Sequence, residues 1–187
     1  MRIRSAFLGL VGTLPMLATA SAQAPVRTNE PAGAPLTVTS SAFGTNESIP
    51  GEYTCFGDGR RPPLAWSSVP AGTKSIAVLV DDPDAPKGTF THWIVTNIPP
   101  TTTSLPADAA LPKGAVEGRN SKGSRGYIAP CPPSGMHHYH YFVYALDTKT
   151  APAASRAELM KEMEGHILAS GELVGMYERA GRGVGVR

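Results

Sequence analysis

The chain has 187 residues, 41% of them hydrophobic, and carries 17 basic against 15 acidic side chains. This length is enough for one domain with a sizeable core. Two of the basic residues, Arg2 and Arg4, lie in a segment that we expect to be removed, which leaves 15 basic and 15 acidic residues. A neutral chain without a basic run argues against binding to nucleic acid.

The first 22 residues have the three-part pattern of a secretory signal peptide. Arg2 and Arg4 precede an apolar run from Ala6 to about Leu17, and small residues follow up to Ala22, where we expect cleavage. The run is too short, and too often interrupted by Gly and Pro, to span a membrane. The mature protein is therefore expected to have no transmembrane segment and to be periplasmic or secreted.

Residues 23–35 are polar and rich in Pro and Ala, which predicts a flexible lead-in. A single domain is expected over residues 36–180, followed by a loose tail at 181–187. Short strand-like runs separated by Pro and Gly predict a mainly β domain of two packed sheets. These runs are LTVTSSAF (36–43), GEYTCF (51–56), PPLAWSSV (62–69), SIAVLVDD (75–82), HWIVTNI (92–98), HYHYFVYALD (138–147) and GELVGMYERA (171–180).

A helix is predicted over residues 155–170. Ser155 and Glu158 have the spacing of a capping box at its start. Five apolar residues then fall on one side at helical spacing: Leu159, Met160, Met163, Ile167 and Leu168. His166 would lie within this helix, where packing or surface exposure is the favoured interpretation.

The two cysteines are Cys55 and Cys131. In an exported protein an even pair favours a disulfide, and two buried free thiols are the alternative. The sequence does not show whether their Cα atoms come close enough to be bridged.

The segment DPDAP, residues 82–86, follows directly after an apolar strand. Carboxylates beside a core cost free energy unless something pairs with them. Strand alternation directs Asp82 toward the core, and Pro83 ends the pairing. An ordinary turn also explains Asp and Pro here, whereas the functional alternatives are an acid/base pair, a metal or a small polar ligand. A cis peptide bond is expected before Pro86.

His92 heads a strand on which Ile94, Thr96 and Ile98 share its face. This pattern places an imidazole at the rim of the core. It is either a satisfied rim histidine or a donor to a ligand oxygen, held by a nearby carboxylate that would favour the protonated ring.

The loop APCPPSG, residues 129–135, is rigid and brings backbone groups close to whatever it faces. The strand after it places His137 and Tyr139 on one face and His138 and His140 on the other. His138 and His140 are candidate metal ligands, but no second cluster supplies further ligands. A surface pair is therefore favoured, and no cofactor is expected.

Together these segments resemble the phosphatidylethanolamine-binding protein family, in its bacterial Raf-kinase-inhibitor-like branch. The resemblance covers about residues 36–179 and implies antiparallel β-sheets in a Greek-key arrangement with a few peripheral α-helices. The matching segments, in chain order, are GEYTCFGDG, PPLAWSSVP, GTKSIAVLVDDPDAP, THWIVTNIPP, LPKGAVEGRN, PCPPSGMHHYHYFVYALDT and MEGHILASGELVGMYER.

The resemblance also implies a cavity that accepts anions such as phosphate, acetate or a phosphorylethanolamine headgroup. His92 and His137 would donate to ligand oxygens, and Asp82 would orient a histidine or accept from a protonated phosphate oxygen or an ammonium. Pro86 matches the family's cis proline. The ligand-binding residues on the matching positions are Asp82, Asp84, Pro86, His92, Pro130, Cys131, Pro132, Gly135, His137 and Tyr139.

Four positions depart from the pattern of the bacterial branch. His138 replaces an arginine, His140 replaces an aromatic residue, and Ala129-Pro130 stands where a glycine is usual. The usual Asn-Asp-aromatic-Gly turn is Asn-Ser-Lys-Gly at residues 120–123. A narrower and more pH-sensitive site is expected, because histidine titrates where arginine does not.

The sequence thus predicts an exported, non-enzymatic protein that binds a small anion or a phospholipid headgroup. One alternative is a protein-interaction module that inhibits a protease or kinase. The other is a metal-assisted hydrolase that uses His138 and His140. A homodimer is expected by analogy with bacterial relatives.

Overall fold

A computed structural model describes residues 35–151 and 155–179. The predicted signal peptide, nearly all of the lead-in and the C-terminal tail lie outside these ranges. Within them, no helix is long and apolar enough to cross a membrane. The elements are β1 (Thr37–Thr39), β2 (Glu47–Ser48), a 3₁₀ turn (Gly51–Tyr53), β3 (Leu64–Ser67), β4 (Ser75–Asp82), β5 (Phe90–Ile98), β6 (Ser104–Leu105), β7 (Val116–Glu117), β8 (Met136–Leu146), α1 (Arg156–Met163) and β9 (Ile167–Glu178).

The strands form two sheets, as the sequence predicts. One has six strands in the order β2-β9-β8-β4-β5-β7, and the other has three in the order β1-β3-β6. Neighbouring strands are antiparallel except for β2 and β9, which run parallel. In place of a few peripheral α-helices, the described residues contain α1 alone and one 3₁₀ turn.

Strand β4 lies at the centre of the six-stranded sheet and is buried at every residue. One face, with Ile76, Val78 and Val80, belongs to the main core that includes residues of the smaller sheet. The other face, with Ala77 and Leu79, packs in a second cluster with residues of α1. Burial on both faces explains why this strand is a continuous apolar run, and it leaves Asp82 where the strand emerges from the core.

The predicted helix begins as expected but ends seven residues early. Ser155 and Glu158 form the capping box at its start, and its last residue is Met163. Gly165 follows with φ +77°, a left-handed conformation that terminates helices. Ile167 then pairs with Leu146 of β8. The many backbone hydrogen bonds between β8 and β9 favour a strand from Ile167 onward. They stabilise this conformation more than the helical spacing of Ile167 and Leu168 would stabilise a longer helix.

Two further local predictions are corrected, and one is confirmed. His166 lies in the turn before β9, with its Nδ1 2.7 Å from Asp147 Oδ1. The strand-like alternation at the start of residues 36–43 is confirmed as β1, Thr37–Thr39. The predicted strand 51–56 is a 3₁₀ turn, because both the backbone N–H and the hydroxyl of Thr54 donate to the Gly51 carbonyl.

Candidate ligand-binding site

A β-bulge between β4 and β5 sets the direction of His92. Val80 pairs with Trp93 and Asp81 pairs with Thr91, so His92 is the extra residue. Bulges re-aim side chains, and the His92 ring packs edge-on against Tyr139, with centroids 5.2 Å apart. Ile94 lies in the second cluster, on the other face of the sheet. The predicted stripe that joined His92 to Ile94 is therefore wrong.

A cavity of about 280 Å³ lies at the ends of β4, β5 and β8. The fold brings together five of the predicted ligand-binding residues in its lining: Asp82, Pro86, His92, Cys131 and His137. Pro133 also lines the cavity, and it belongs to the loop from Pro130 to Gly135 that the resemblance places there. The lining is completed by five residues that were not predicted: Ala85, Phe90, Lys122, Ile128 and Ala129.

Asp82 and His137 form a buried pair in this lining. Asp82 Oδ2 lies 2.7 Å from His137 Nδ1, and both side chains are only 6% exposed. The other carboxylate oxygen, Oδ1, accepts the backbone N–H of Asp84 at 2.9 Å. Both oxygens of Asp82 are thus engaged by the protein, and Asp82 holds the orientation of the His137 ring.

His92 is held by the backbone of Ile128, which also lines the cavity. Its Nδ1–H donates to the Ile128 carbonyl at 2.7 Å, because a carbonyl can only accept. The Ile128 N–H in turn donates to the His92 carbonyl at 3.0 Å. Burial lowers the pKa of His92 below its ordinary value, since desolvation disfavours the charged ring.

Tyr139 lies beside the two histidines rather than in the lining. It is 1% exposed, and its ring stacks on that of His137 with centroids 6.4 Å apart. Burial raises the pKa of its hydroxyl far above the ordinary value, so the group stays protonated. Its oxygen is buried without a hydrogen-bond partner among the described residues.

Asp84 is also predicted to bind the ligand but lies outside the cavity lining. Its Oδ2 accepts hydrogen bonds from the backbone N–H of His138 at 2.8 Å and from His138 Nδ1 at 2.7 Å. The hydrogen bonds from His138 hold the pKa of Asp84 below its usual range. The histidine that replaces the usual arginine thus engages Asp84 at the surface.

The loop residues Pro130, Pro132 and Gly135, which were also predicted to bind the ligand, lie outside the cavity lining. The Pro130 carbonyl accepts the backbone N–H of Cys55 at 2.9 Å. Gly135 has φ +69°, which a side chain would disfavour. A disulfide joins Cys55 to Cys131, with Cα atoms 5.3 Å apart, and this confirms the favoured interpretation of the two cysteines.

The cis peptide bond expected before Pro86 is not found, because every described peptide bond is trans. The trans form of an X–Pro bond is the more stable by about 0.5–1 kcal/mol. The trans bond before Pro86 lies in a turn that is closed by a hydrogen bond of 3.0 Å from the Gly88 N–H to the Ala85 carbonyl. Pro86 still lines the cavity.

Lys122 supplies a cation that the sequence analysis did not assign to the site. It lies on the Asn-Ser-Lys-Gly turn, where Asn120 Oδ1 accepts the Lys122 N–H at 3.0 Å. Ser121 anchors this turn to β5, since its N–H donates to the Thr91 carbonyl and its hydroxyl accepts the Thr91 N–H. The turn is visible in the sequence, but its contact with Thr91, next to His92, is tertiary.

The candidate metal ligands are each paired with a different carboxylate. His138 contacts Asp84, and His140 contacts Glu172. Residues 35–151 and 155–179 contain no group of three or more His, Cys, Asp or Glu side chains arranged to hold a metal ion.

A second, larger cavity of about 400 Å³ lies over the three-stranded sheet. Its lining, which includes Thr39, Ser40 and Ser104, has no ionisable side chain. Charged and titratable groups converge only on the smaller of these two cavities, which is therefore the candidate site.

The family model described as phosphatidylethanolamine-binding protein matches residues 39–178. The chain belongs to the phosphatidylethanolamine-binding protein family. This confirms the resemblance and the fold class predicted from the sequence, and it supports a ligand-binding protein.

Individual members of the phosphatidylethanolamine-binding protein family are similar over most of the chain. A UPF0098 protein of Pyrococcus horikoshii is 52% identical over 149 residues, which cover 75% of each chain. A homologue from Chlamydia trachomatis, known from a crystal structure, is 39% identical with a TM-score of 0.74. That match covers 78% of this chain and 99% of the homologue.

A Mycobacterium tuberculosis protein named as a lipoprotein, LppC, is 40% identical over 155 residues, which cover 81% of this chain and 76% of its own. Together with the disulfide between Cys55 and Cys131, this relative gives weak support to export.

Proposed function

We propose that this protein is exported and uses the cavity around His92 and His137 to bind a small anion or a phospholipid headgroup of the phosphorylethanolamine kind, without converting it. The observation that carries the proposal is the convergence of a buried Asp82–His137 pair with a second buried histidine on one cavity. Binding sites typically contain a few buried polar groups that the protein holds in a fixed orientation. Here each histidine uses one ring nitrogen for a bond to the protein, and its other ring nitrogen can bond to a ligand.

The size of the cavity supports a headgroup-sized ligand. Its volume of about 280 Å³ lies just below the roughly 300–1,000 Å³ of pockets for drug-sized molecules. Phe90, Ile128 and Pro133 supply apolar walls, and the polar groups are few.

The charges of the lining support a zwitterion or a singly charged anion. Lys122 at the lining attracts an anion, whereas the Asp82 carboxylate disfavours a dianion.

Calorimetric titration of phosphorylethanolamine into the purified, metal-stripped protein tests this proposal. We expect saturable binding that falls at least about tenfold, or about 1.4 kcal/mol, in His92→Ala. His166→Ala is the matched control, because His166 is a half-exposed histidine paired with Asp147 outside the site. A circular dichroism melting curve for each variant shows whether it is folded. No heat from the wild type up to about 10 mM ligand, a limit of roughly 3 kcal/mol, would rule the proposal out.

Lys122→Met is expected to weaken binding of the same ligand about two- to fivefold at low salt, as loss of an exposed charge interaction does. The effect should shrink as salt is raised, because an exposed charge is screened. Lys87→Met is the control, since Lys87 is exposed on the turn after β4 but does not line the cavity. Equal weakening by the two substitutions would mean that Lys122 acts only through net charge.

A further inference from the structure

The two histidines of the cavity differ in the partner of Nδ1. For His92 the partner is the neutral Ile128 carbonyl, and for His137 it is the Asp82 carboxylate. In both rings the proton therefore lies on Nδ1, and in a neutral ring Nε2 is then an acceptor. Nε2 of His92 has no hydrogen-bond partner among the described residues. It is also not fully buried, so a ligand can reach it. Since the ring lines the cavity, Nε2 is left for a ligand.

The surroundings of His92 favour the neutral form of its ring. The residue is 4% exposed, and burial is the main cause that lowers its pKa. The charged and titratable groups that face it are Asp81 and Asp82 from β4, His137 and Tyr139 from β8, and Lys122 from the turn before the loop. The two carboxylates oppose the effect of burial without overcoming it, so the direction of the pKa shift remains downward.

We propose that His92 is a specificity-determining residue that accepts a hydrogen bond from the anion, so that the cavity prefers the protonated monoanion of a phosphomonoester to a phosphodiester. This inference rests on the proposed function and names the ligand class of the same site. It reverses the expected role of His92 as a donor to a ligand oxygen.

The preference follows from the hydrogen-bonding groups of the two ligand classes. A phosphomonoester monoanion carries a P–OH group that donates to His92 Nε2, while its other oxygens accept from donors such as Lys122. A phosphodiester has acceptor oxygens only and cannot donate a hydrogen bond to Nε2. Its binding would leave Nε2 facing another acceptor with its hydrogen bond unsatisfied, which is unfavourable. The phosphate of an intact phospholipid is a diester. The ligand is accordingly a phosphomonoester freed from the lipid rather than the lipid itself.

Methyl phosphate and dimethyl phosphate are suitable probes, because neither has an ammonium group that could donate to His92 instead. The titrations are made at about pH 6, where about half of the monoester is the monoanion and the diester also carries one negative charge. The wild type is expected to bind methyl phosphate at least about tenfold more tightly, which is the effect of one unsatisfied buried acceptor.

His92→Asn is the decisive variant. Its side-chain amide can still donate to the Ile128 carbonyl, but it has no atom at the position of Nε2. We expect it to lose affinity for methyl phosphate, so that the ratio of the two affinities falls to within about twofold, since one hydrogen bond to Nε2 accounts for the preference. His140→Asn is the control and should keep the wild-type ratio, because His140 pairs with Glu172 away from the cavity.

Two measurements on the wild type keep the test independent of whether His92→Asn folds. Raising the pH from about 6 to about 8 removes the P–OH proton, so the preference for methyl phosphate should decline while dimethyl phosphate binding stays the same. The ¹⁵N chemical shifts of the imidazole should show an unprotonated Nε2 in the free protein that shifts when methyl phosphate binds.

The outcomes separate the two proposals. Failure of both probes and of phosphorylethanolamine to bind would overturn the proposed function. Equal binding of both probes, a preference that survives in a folded His92→Asn, or a protonated Nε2 at about pH 6 in the free protein would overturn the role of His92 while leaving the binding function in place.

Discussion

Replacing Cys55 and Cys131 by serine is expected to lower the free energy of unfolding by about 2–5 kcal/mol. The two cysteines are 76 residues apart in the chain, so the bond restricts a large loop of the unfolded state. On the chain-entropy model a loop of this size is worth about 4.5 kcal/mol. The bond also ties the loop that carries Cys131 and Pro133 into the cavity to the segment after the 3₁₀ turn. Ligand affinity should therefore fall together with stability.

Urea denaturation of the oxidised protein, the reduced protein and the double serine variant measures this effect. Both cysteines are exposed residues, so a reductant can reach the bond without unfolding the domain. The double variant is its own control for side effects of the reductant, because its stability should not change when reductant is added. A difference below about 0.5 kcal/mol between oxidised and reduced protein, the range of ordinary surface substitutions, would contradict the prediction.

Gly171→Ala is expected to destabilise the protein by about 1–3 kcal/mol, because the new methyl group has no space. A Cβ atom at Gly171 would lie 2.9 Å from Leu36 Cβ and closer still to the Leu36 carbonyl oxygen. Leu36 cannot easily withdraw, since its N–H donates to the Ser170 carbonyl at 2.9 Å. The glycine therefore permits the segment that leads into β1 to cross closely over β9.

Thermal unfolding measures the loss, which should appear as a decrease in Tm of about 2–4 °C for each kcal/mol. Gly51→Ala is the matched control, because a Cβ at Gly51 would meet no atom within 4 Å, and its effect should stay within about 0.5 kcal/mol. Ligand affinity is expected to be unchanged in both variants, since neither glycine lines the cavity. Similar Tm values for the two variants would show that Leu36 yields to the added methyl group.

The strands of the six-stranded sheet were predictable because their apolar patterns are long and regular. Strand β8 shows the alternation expected for one buried and one partly exposed face, with Tyr139 and Tyr141 in the main core. The start of α1 was equally predictable, because a capping box is a local hydrogen-bonding pattern. The end of α1 was not, because Ile167 satisfies a helical spacing and a strand equally well. Its pairing with Leu146, a residue distant in sequence, decides between the two.

The residues of the candidate site were also only partly predictable from the sequence. The resemblance placed Asp82, His92 and His137 in one cavity, and alternation along β4 already directed Asp82 toward the core. The sequence did not predict that Asp84 would be engaged by His138, or that Lys122 would reach the lining. Both depend on contacts between segments far apart in the chain.

By itself, then, the sequence determined the mainly β fold, its family and the set of side chains that can meet at the cavity, because these follow from local patterns and matching motifs. Only the tertiary structure decided how those side chains act. The bulge at His92 depends on the register between β4 and β5, and the proton on its Nδ1 depends on a carbonyl 36 residues away. A hydrogen-bonding role is set by the partner that the fold supplies, and this partner is not encoded in the residue or in its neighbours along the chain.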